Sequence, residues 1–158
     1  MNFTITTIAQ SLADYLANVL PGVTMYEDPN QQGTTMPAMF LQQRYSYIQK
    51  QTDGYYIRRI GLDLTYLEDY NLPDLHQKYL LAAEALDLVM DTFLYSDGSK
   101  DGTTRVRAYD REWTVDLDAL HYKFELRERV TAQEVSEKMQ DMNLIITIKE
   151  TTTNGEKD

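Results

Sequence analysis

Leu120-His121-Tyr122-Lys123-Phe124-Glu125-Leu126-Arg127 alternates apolar and polar side chains without a break. Successive strand residues point to opposite faces, so the stretch predicts a strand with Leu120, Tyr122, Phe124 and Leu126 toward a core. It is expected to lie inside a sheet. The run from Tyr55 to Tyr66 follows the same rule, with Ile60, Leu62, Leu64 and Tyr66 on one face and Arg59, Gly61, Asp63 and Thr65 on the other. Alternation of this kind belongs to a sheet wetted on one side, so the second face is expected to be left to water rather than packed by a helix. Thr52-Asp53-Gly54 separates this run from a strand candidate at Met36 to Gln51. Asp-Gly makes a good hairpin turn because glycine accepts positive φ, so the two strands should be antiparallel neighbours.

Before the hairpin the period changes. Ile5, Ile8, Leu12, Leu16 and Val19 recur at spacings of three and four, which predicts an amphipathic helix from Phe3 to Leu20, stopped by Pro21-Gly22. Val23 to Glu27 is a short extended candidate, and Asp28 to Gly33 favours turns. After the hairpin, Asn71 is a candidate N-cap before Leu72-Pro73-Asp74, and a helix is expected to run to about Leu94. Leu75, Tyr79, Ala82, Ala83, Leu86, Val89, Met90 and Phe93 form its stripe. The polar loop Ser96 to Thr103 then leads into a second expected hairpin, Arg105 to Tyr109 and Trp113 to Leu117, turning at Asp110-Arg111-Glu112. Thr131-Ala132-Gln133-Glu134 matches a capping box for a short helix to Met142, and Leu144 to Ile148 is a last strand candidate. This order predicts an α+β fold with an antiparallel or mixed sheet and both an N-terminal and a long central helix packed on one face. Residues 1–150 are expected to form a single domain, and the polar tail 151–158 to be disordered.

Composition narrows the function. At 158 residues the chain is one domain by length. Fifteen Lys plus Arg against twenty-five Asp plus Glu leave a net charge of -10, which disfavours nucleic-acid backbones and anionic membranes as partners. With no cysteine, disulfides, thiolate metal sites and cysteine nucleophiles are excluded together. The N-terminus lacks a positive n-region and no apolar run approaches the roughly 18 residues needed to span a bilayer, so a soluble protein used without export is expected.

Sites for chemistry are sparse. Asp97-Gly98-Ser99-Lys100-Asp101-Gly102 resembles half a calcium loop, but its twelfth position is Ala108 where a bidentate glutamate is needed, so a polar hairpin loop is the better reading. Only His76 and His121 are present, and both are read as solvated, with Glu125 on the face of His121 and Asp118 on the opposite one. None of the serines lies in a nucleophile motif, and no glycine-rich phosphate loop occurs. Asp63, Glu68, Asp69, Asp116 and Asp118 are the acids available for carboxylate chemistry, but twenty-five acids bring such groups together by chance. No enzyme, cofactor or metal is expected.

Twelve tyrosines are the unusual feature, with Tyr45, Tyr47, Tyr55, Tyr56, Tyr66 and Tyr70 crowded into the first hairpin and its exits. A tyrosine ring contributes contact area while its hydroxyl stays wet, which suits an ordinary aromatic sheet and also an assembly surface. Arg44, Lys50, Arg58 and Arg59 make this hairpin locally basic within an acidic chain. The candidate assembly surface is therefore Arg44, Tyr45, Tyr47, Tyr55, Arg58 and Arg59, facing an acidic neighbour.

Met25-Tyr26-Glu27, Gln32-Gly33, Met36 to Leu41, Tyr56 to Tyr66 and Asp118 to Leu126 resemble, in order and spacing, the tail terminator family of phages and prophages of Gram-positive bacteria. The resemblance covers residues 3 to 142, and Met139 and Met142 sit where that family often has a methionine-containing segment. It implies a small α+β virion protein, made in the host cytoplasm and located in the neck region of the tail. There it forms a hexameric ring that caps the head-proximal end of the tube, stops polymerisation and provides the head–tail joining surface. The implied partners are other copies of the chain, the tail tube protein, the sheath protein and the head–tail connector, and the family supplies no catalytic residues. Asn143 to Asp158 departs from the family pattern and is free to dock on a sheath, on a neighbouring subunit or on nothing. The alternatives are a head-completion or connector protein of the same region and a small carboxylate-based hydrolase.

Overall fold

The computed structural model describes residues 3–26, 35–116, 118–131, 137, 139 and 140. Its elements are α1 (Ile5–Val19), β1 (Thr24–Tyr26), β2 (Ala38–Lys50), β3 (Tyr55–Leu67), α2 (Leu75–Val89), β4 (Thr92–Ser96), β5 (Thr103–Arg107), β6 (Tyr109–Val115) and β7 (Leu120–Thr131). The fold is α+β, as expected, with a mixed five-stranded sheet ordered β1-β2-β3-β7-β6 and a separate β4-β5 pair. The chain divides into two compact units, Met1–Tyr47 with Arg59–Arg127 and Ile48–Arg58 with Glu128–Asp158.

The first unit carries the core. Thr4 caps α1 reciprocally with Thr7, each side chain accepting the other's backbone N–H, and the helix buries Ile8, Leu12 and Leu16. Gly22, at φ 93°, turns the chain out of the helix as Pro21-Gly22 predicted. β1 then pairs in parallel with β2, Met25 opposite Met39. Ile60, Leu62, Leu64 and Tyr66 of β3 and Leu120, Tyr122, Phe124 and Leu126 of β7 join one core with α1 and with Tyr79, Ala83, Leu86 and Met90. β7 lies between β3 and β6, an interior position consistent with its alternation.

Three expectations are corrected in this unit. The central helix does not reach Leu94: it ends at Val89, and Thr92–Ser96 is a strand whose alternate residues Phe93 and Tyr95 are buried. Its N-cap is Asp74, without a side-chain bond, rather than Asn71. Ser11 fixes the strand to α1, donating to the Ser96 carbonyl at 3.1 Å and accepting its N–H at 3.0 Å. Secondly, β5 and β6 are not a hairpin. Asp110-Arg111-Glu112 lies within β6, where Asp110 takes φ 51° and the register to β7 shifts, a β-bulge in place of a turn. The chain passes from one sheet to the other at buried Ala108, whose N–H donates to the Asp91 carbonyl at 3.0 Å.

Thirdly, the polar face of β3 is not wetted, because Gly61, Asp63 and Thr65 are buried along with the core-facing residues. A layer of the sheet's own polar side chains, described below, covers it.

The second unit holds the turn of the first hairpin, closed by the Gln51 N–H donating to the Tyr55 carbonyl at 2.7 Å with Gly54 at φ 74°. Within it Arg58 pairs with Glu128 at 3.5 Å, Arg129 stacks over the Tyr55 ring at 3.7 Å, and Val130 is buried. Glu137, Met139 and Gln140 are helical, in the range expected for a short helix. The turn-rich Asp28 to Gly33, the strand candidate Leu144 to Ile148 and the tail 151–158 lie outside the described residues.

Candidate functional site

The candidate assembly residues fall into both units. In the first, Arg44, Tyr45, Tyr47 and Arg59 come together around Glu125. The Tyr45 hydroxyl donates to Glu125 Oε2 at 2.7 Å, its ring lies 5.8 Å from that of Tyr47, and Arg44 stands over it at 5.5 Å. Arg59 donates to the Tyr47 hydroxyl at 3.4 Å and approaches Glu125 at 3.9 Å. Tyr47 is 47% exposed and Arg44 is exposed, whereas Tyr45 and Arg59 are half-buried. Tyr55 and Arg58 belong to the second unit, where they meet Arg129 and Glu128.

Glu125 organises this polar layer. It is buried, and Arg127 Nε donates to its Oε1 at 2.6 Å while holding Asp110 at 3.1 Å. Burial works against its charge, but the hydrogen bonds from Arg127 and Tyr45 outweigh that cost and hold the carboxyl below its usual range. The same bonds act in reverse on the partners, raising the Tyr45 hydroxyl and the Arg127 guanidinium.

His121 lies on the same face of β7 but with other partners than sequence adjacency gave. Nδ1 is 3.0 Å from Asp63 Oδ2 and Nε2 is 3.2 Å from Asp116 Oδ2. Asp116 Oδ1 accepts the backbone N–H groups of Asp118 and Ala119 at 3.0 and 2.7 Å, and those bonds, with His121 adding to them, lower its carboxyl. Thr65 lies near this group, donating to Asp63 Oδ1 at 3.2 Å. The Thr65 hydroxyl also lies 3.4 Å from His121 Nδ1, and through His121 the cluster braces β3 against β7 and the turn that precedes it. Of the acids singled out from sequence, Asp63 and Asp116 are thus joined through His121, whereas Glu68 accepts from the Tyr66 hydroxyl. Among the described residues no group of three or more His, Asp or Glu is placed to hold a metal ion.

The Asp97 to Gly102 loop is the β4-β5 hairpin turn, with Asp97 Oδ1 accepting the Ser99 N–H at 2.9 Å. A further polar knot joins α2 to the sheet: Asp87 accepts from the Tyr122 hydroxyl at 2.8 Å and from the Trp113 indole at 3.0 Å. Burial and the adjacent carboxylate push the Tyr122 hydroxyl up to about 12.

Two apolar grooves open on the first unit. One, of about 370 Å³, runs between α1 and β1 and is lined by Ile5, Ala9, Ala13, Met25 and Leu41. The other, of about 270 Å³, is lined by Leu20, Val23, Met39, Leu81 and Ala82, with Glu68 and Lys78 beside them. Close by, α2 turns Leu81 and Leu88 outward, a feature missed because neither belongs to its core stripe. The signal was present: apolar residues off the stripe of an amphipathic helix.

Fold and site together define a small α+β protein whose polar clusters brace a sheet and whose distinctive features are surfaces. The family model for phage tail terminator proteins matches residues 7–139, and the chain belongs to that family. It is a structural protein of the phage tail, in contact with other tail proteins. No curated protein matches the chain. No helix among the described residues is long and apolar enough to cross a membrane.

Proposed function

We propose that this protein caps the head-proximal end of the tail tube of a phage or prophage of a Gram-positive host, as a hexameric ring. The ring stops addition of tube subunits and offers its other face to the head–tail connector. The family match over residues 7–139 is the observation that carries this reading. The physical logic is consistent with it: identical subunits in head-to-tail contact close a ring when their rotation closes, and a ring with unlike faces ends a polymer. A net charge of -10 suits a channel through which DNA slides without sticking. The role is mechanical and needs no catalytic centre.

The same reading gives Arg44, Tyr45, Tyr47, Tyr55, Arg58 and Arg59 to contacts made during assembly. Exposed Arg44 and Tyr47 would touch the partner, while Tyr45 and Arg59 hold them in place through Glu125. Inactivating the gene tests the function: overlong tubes of variable length, without heads, are expected. Tails of uniform normal length lying apart from filled heads would make this a joining protein instead.

A further inference from the structure

Strand β2 pairs with β3 on one side, and on its other side it is covered only at its start. β1 lies against Ala38, Met39 and Phe40, and residues 41–47 of the first unit have no described strand beside them. Gln42, Gln43, Arg44, Ser46 and Tyr47 are exposed. Alternate residues of a strand direct their N–H and C=O groups to alternate sides, so about half of this stretch aims backbone donors and acceptors away from β3. Among the described residues, none of these backbone groups bonds outside the sheet.

The far edge of the same sheet is guarded against pairing. β6 carries Asp110, Arg111 and Glu112 in succession and a bulge with Asp110 at φ 51°, devices that keep an edge from taking another strand. Residues 41–47 contain no proline and a single charge, Arg44. An edge that is long and unguarded is a template for an added strand, and only an extended chain satisfies its backbone groups. The chain has one strand candidate outside its described sheets, Leu144-Ile145-Ile146-Thr147-Ile148. It is an apolar, β-branched run without alternation, the composition of a strand covered on both faces. Each copy thus holds one open edge and one spare strand. Residues 132–143 link that segment to β7 and reach between about 18 Å as helix and about 40 Å extended, so it can cross to a neighbouring chain.

We infer that residues 144–148 of one copy of this chain add as a strand to the edge formed by residues 41–47 of another. Main-chain hydrogen bonds supply the affinity, and exposed Arg44 and Tyr47 flank the joint. The edge stays exposed in the single chain, which is why the donor is a second copy. The inference rests on the ring reading above, in which each copy gives one strand and takes one, and adds the means by which neighbours are held.

Thiol cross-linking tests it, since the chain has no cysteine of its own. Tails are assembled from equal amounts of a tagged Ser46→Cys chain and an untagged Thr147→Cys chain and treated with a short bismaleimide. Linked pairs of one tagged and one untagged chain are expected. Monomers alone overturn the contact. Pairs of two tagged chains alone also overturn it, because they place two β2 edges together. If the cysteine chains do not enter tails, an Ile146→Pro chain decides, since proline has no N–H to give to a strand pairing. Its tails should become overlong while the melting temperature of the purified chain stays unchanged. A lowered melting temperature would assign residues 144–148 to the fold of their own chain and overturn the inference. Normal tails with Ile146→Pro, alongside overlong tails without the gene, remove this contact but keep the capping role. Normal tails in both cases remove the capping role itself.

Discussion

Tyr45 lies flat against Gly61 of the neighbouring strand, so close that a Cβ at position 61 would overlap its ring. The glycine serves this close approach, and the ring in turn aims its hydroxyl at Glu125. Gly61→Ala should push the ring off β3 and cost about 1–3 kcal/mol by overpacking. Chemical denaturation measures that loss, and Tyr45→Ser in the same chain should recover part of it by vacating the space.

Glu125→Ala removes the carboxylate that Tyr45, Arg127 and Arg59 share. A loss of about 2–4 kcal/mol is expected, no more than for a fully enclosed pair because both arginines remain partly wet. Equilibrium unfolding checks the magnitude. A matching loss is expected in the Arg127→Ala, Glu125→Ala double variant, since the two residues act on one interaction.

Acid should loosen the same face. The Glu125 and Asp116 carboxyls sit below their usual values of 4.5 and 3.8 in the folded chain. Each therefore binds protons more readily when unfolded, so its stabilisation is complete above the unfolded value and is lost as pH falls through the folded one. Unfolding free energy should decline as pH drops below about 4.5, and Glu125→Gln should flatten that decline in a pH series of denaturation curves.

The two strands with the cleanest alternation, β3 and β7, were legible because period two leaves little choice of face. The end of α2 was not. Phe93 continues the helical spacing from Val89 and equally fits a strand with Tyr95, and pairing with β5 decided between them. Three charged residues at 110–112 read as a turn, and a bulge has no separate signature at that length. The His121 brace was invisible because Asp63 is 58 residues away and meets it only once β3 and β7 are neighbours. The tyrosine-rich hairpin was recognised as a group, but composition does not say which hydroxyls turn inward.

The link between α1 and β4 depends on one small hydroxyl. Ser11→Ala leaves the backbone N–H and carbonyl of Ser96 without their partner and should cost about 1–3 kcal/mol. Amide hydrogen exchange should show the protection of Ser96 falling before that of Leu62 or Phe124.

On the assembly surface, Arg44→Glu with Tyr47→Ser should leave the melting temperature nearly unchanged, since Arg44 is exposed and Tyr47 is 47% exposed. Overlong tails from this folded variant would place the hairpin in the assembly contacts. Normal tails would limit its role to the sheet.

The most direct measurement is the distribution of tail lengths, by negative-stain electron microscopy of particles made with the gene inactivated. The account predicts overlong, headless tubes with no preferred length, restored to one length by the wild-type chain. Tails that keep their normal length without this protein would contradict it.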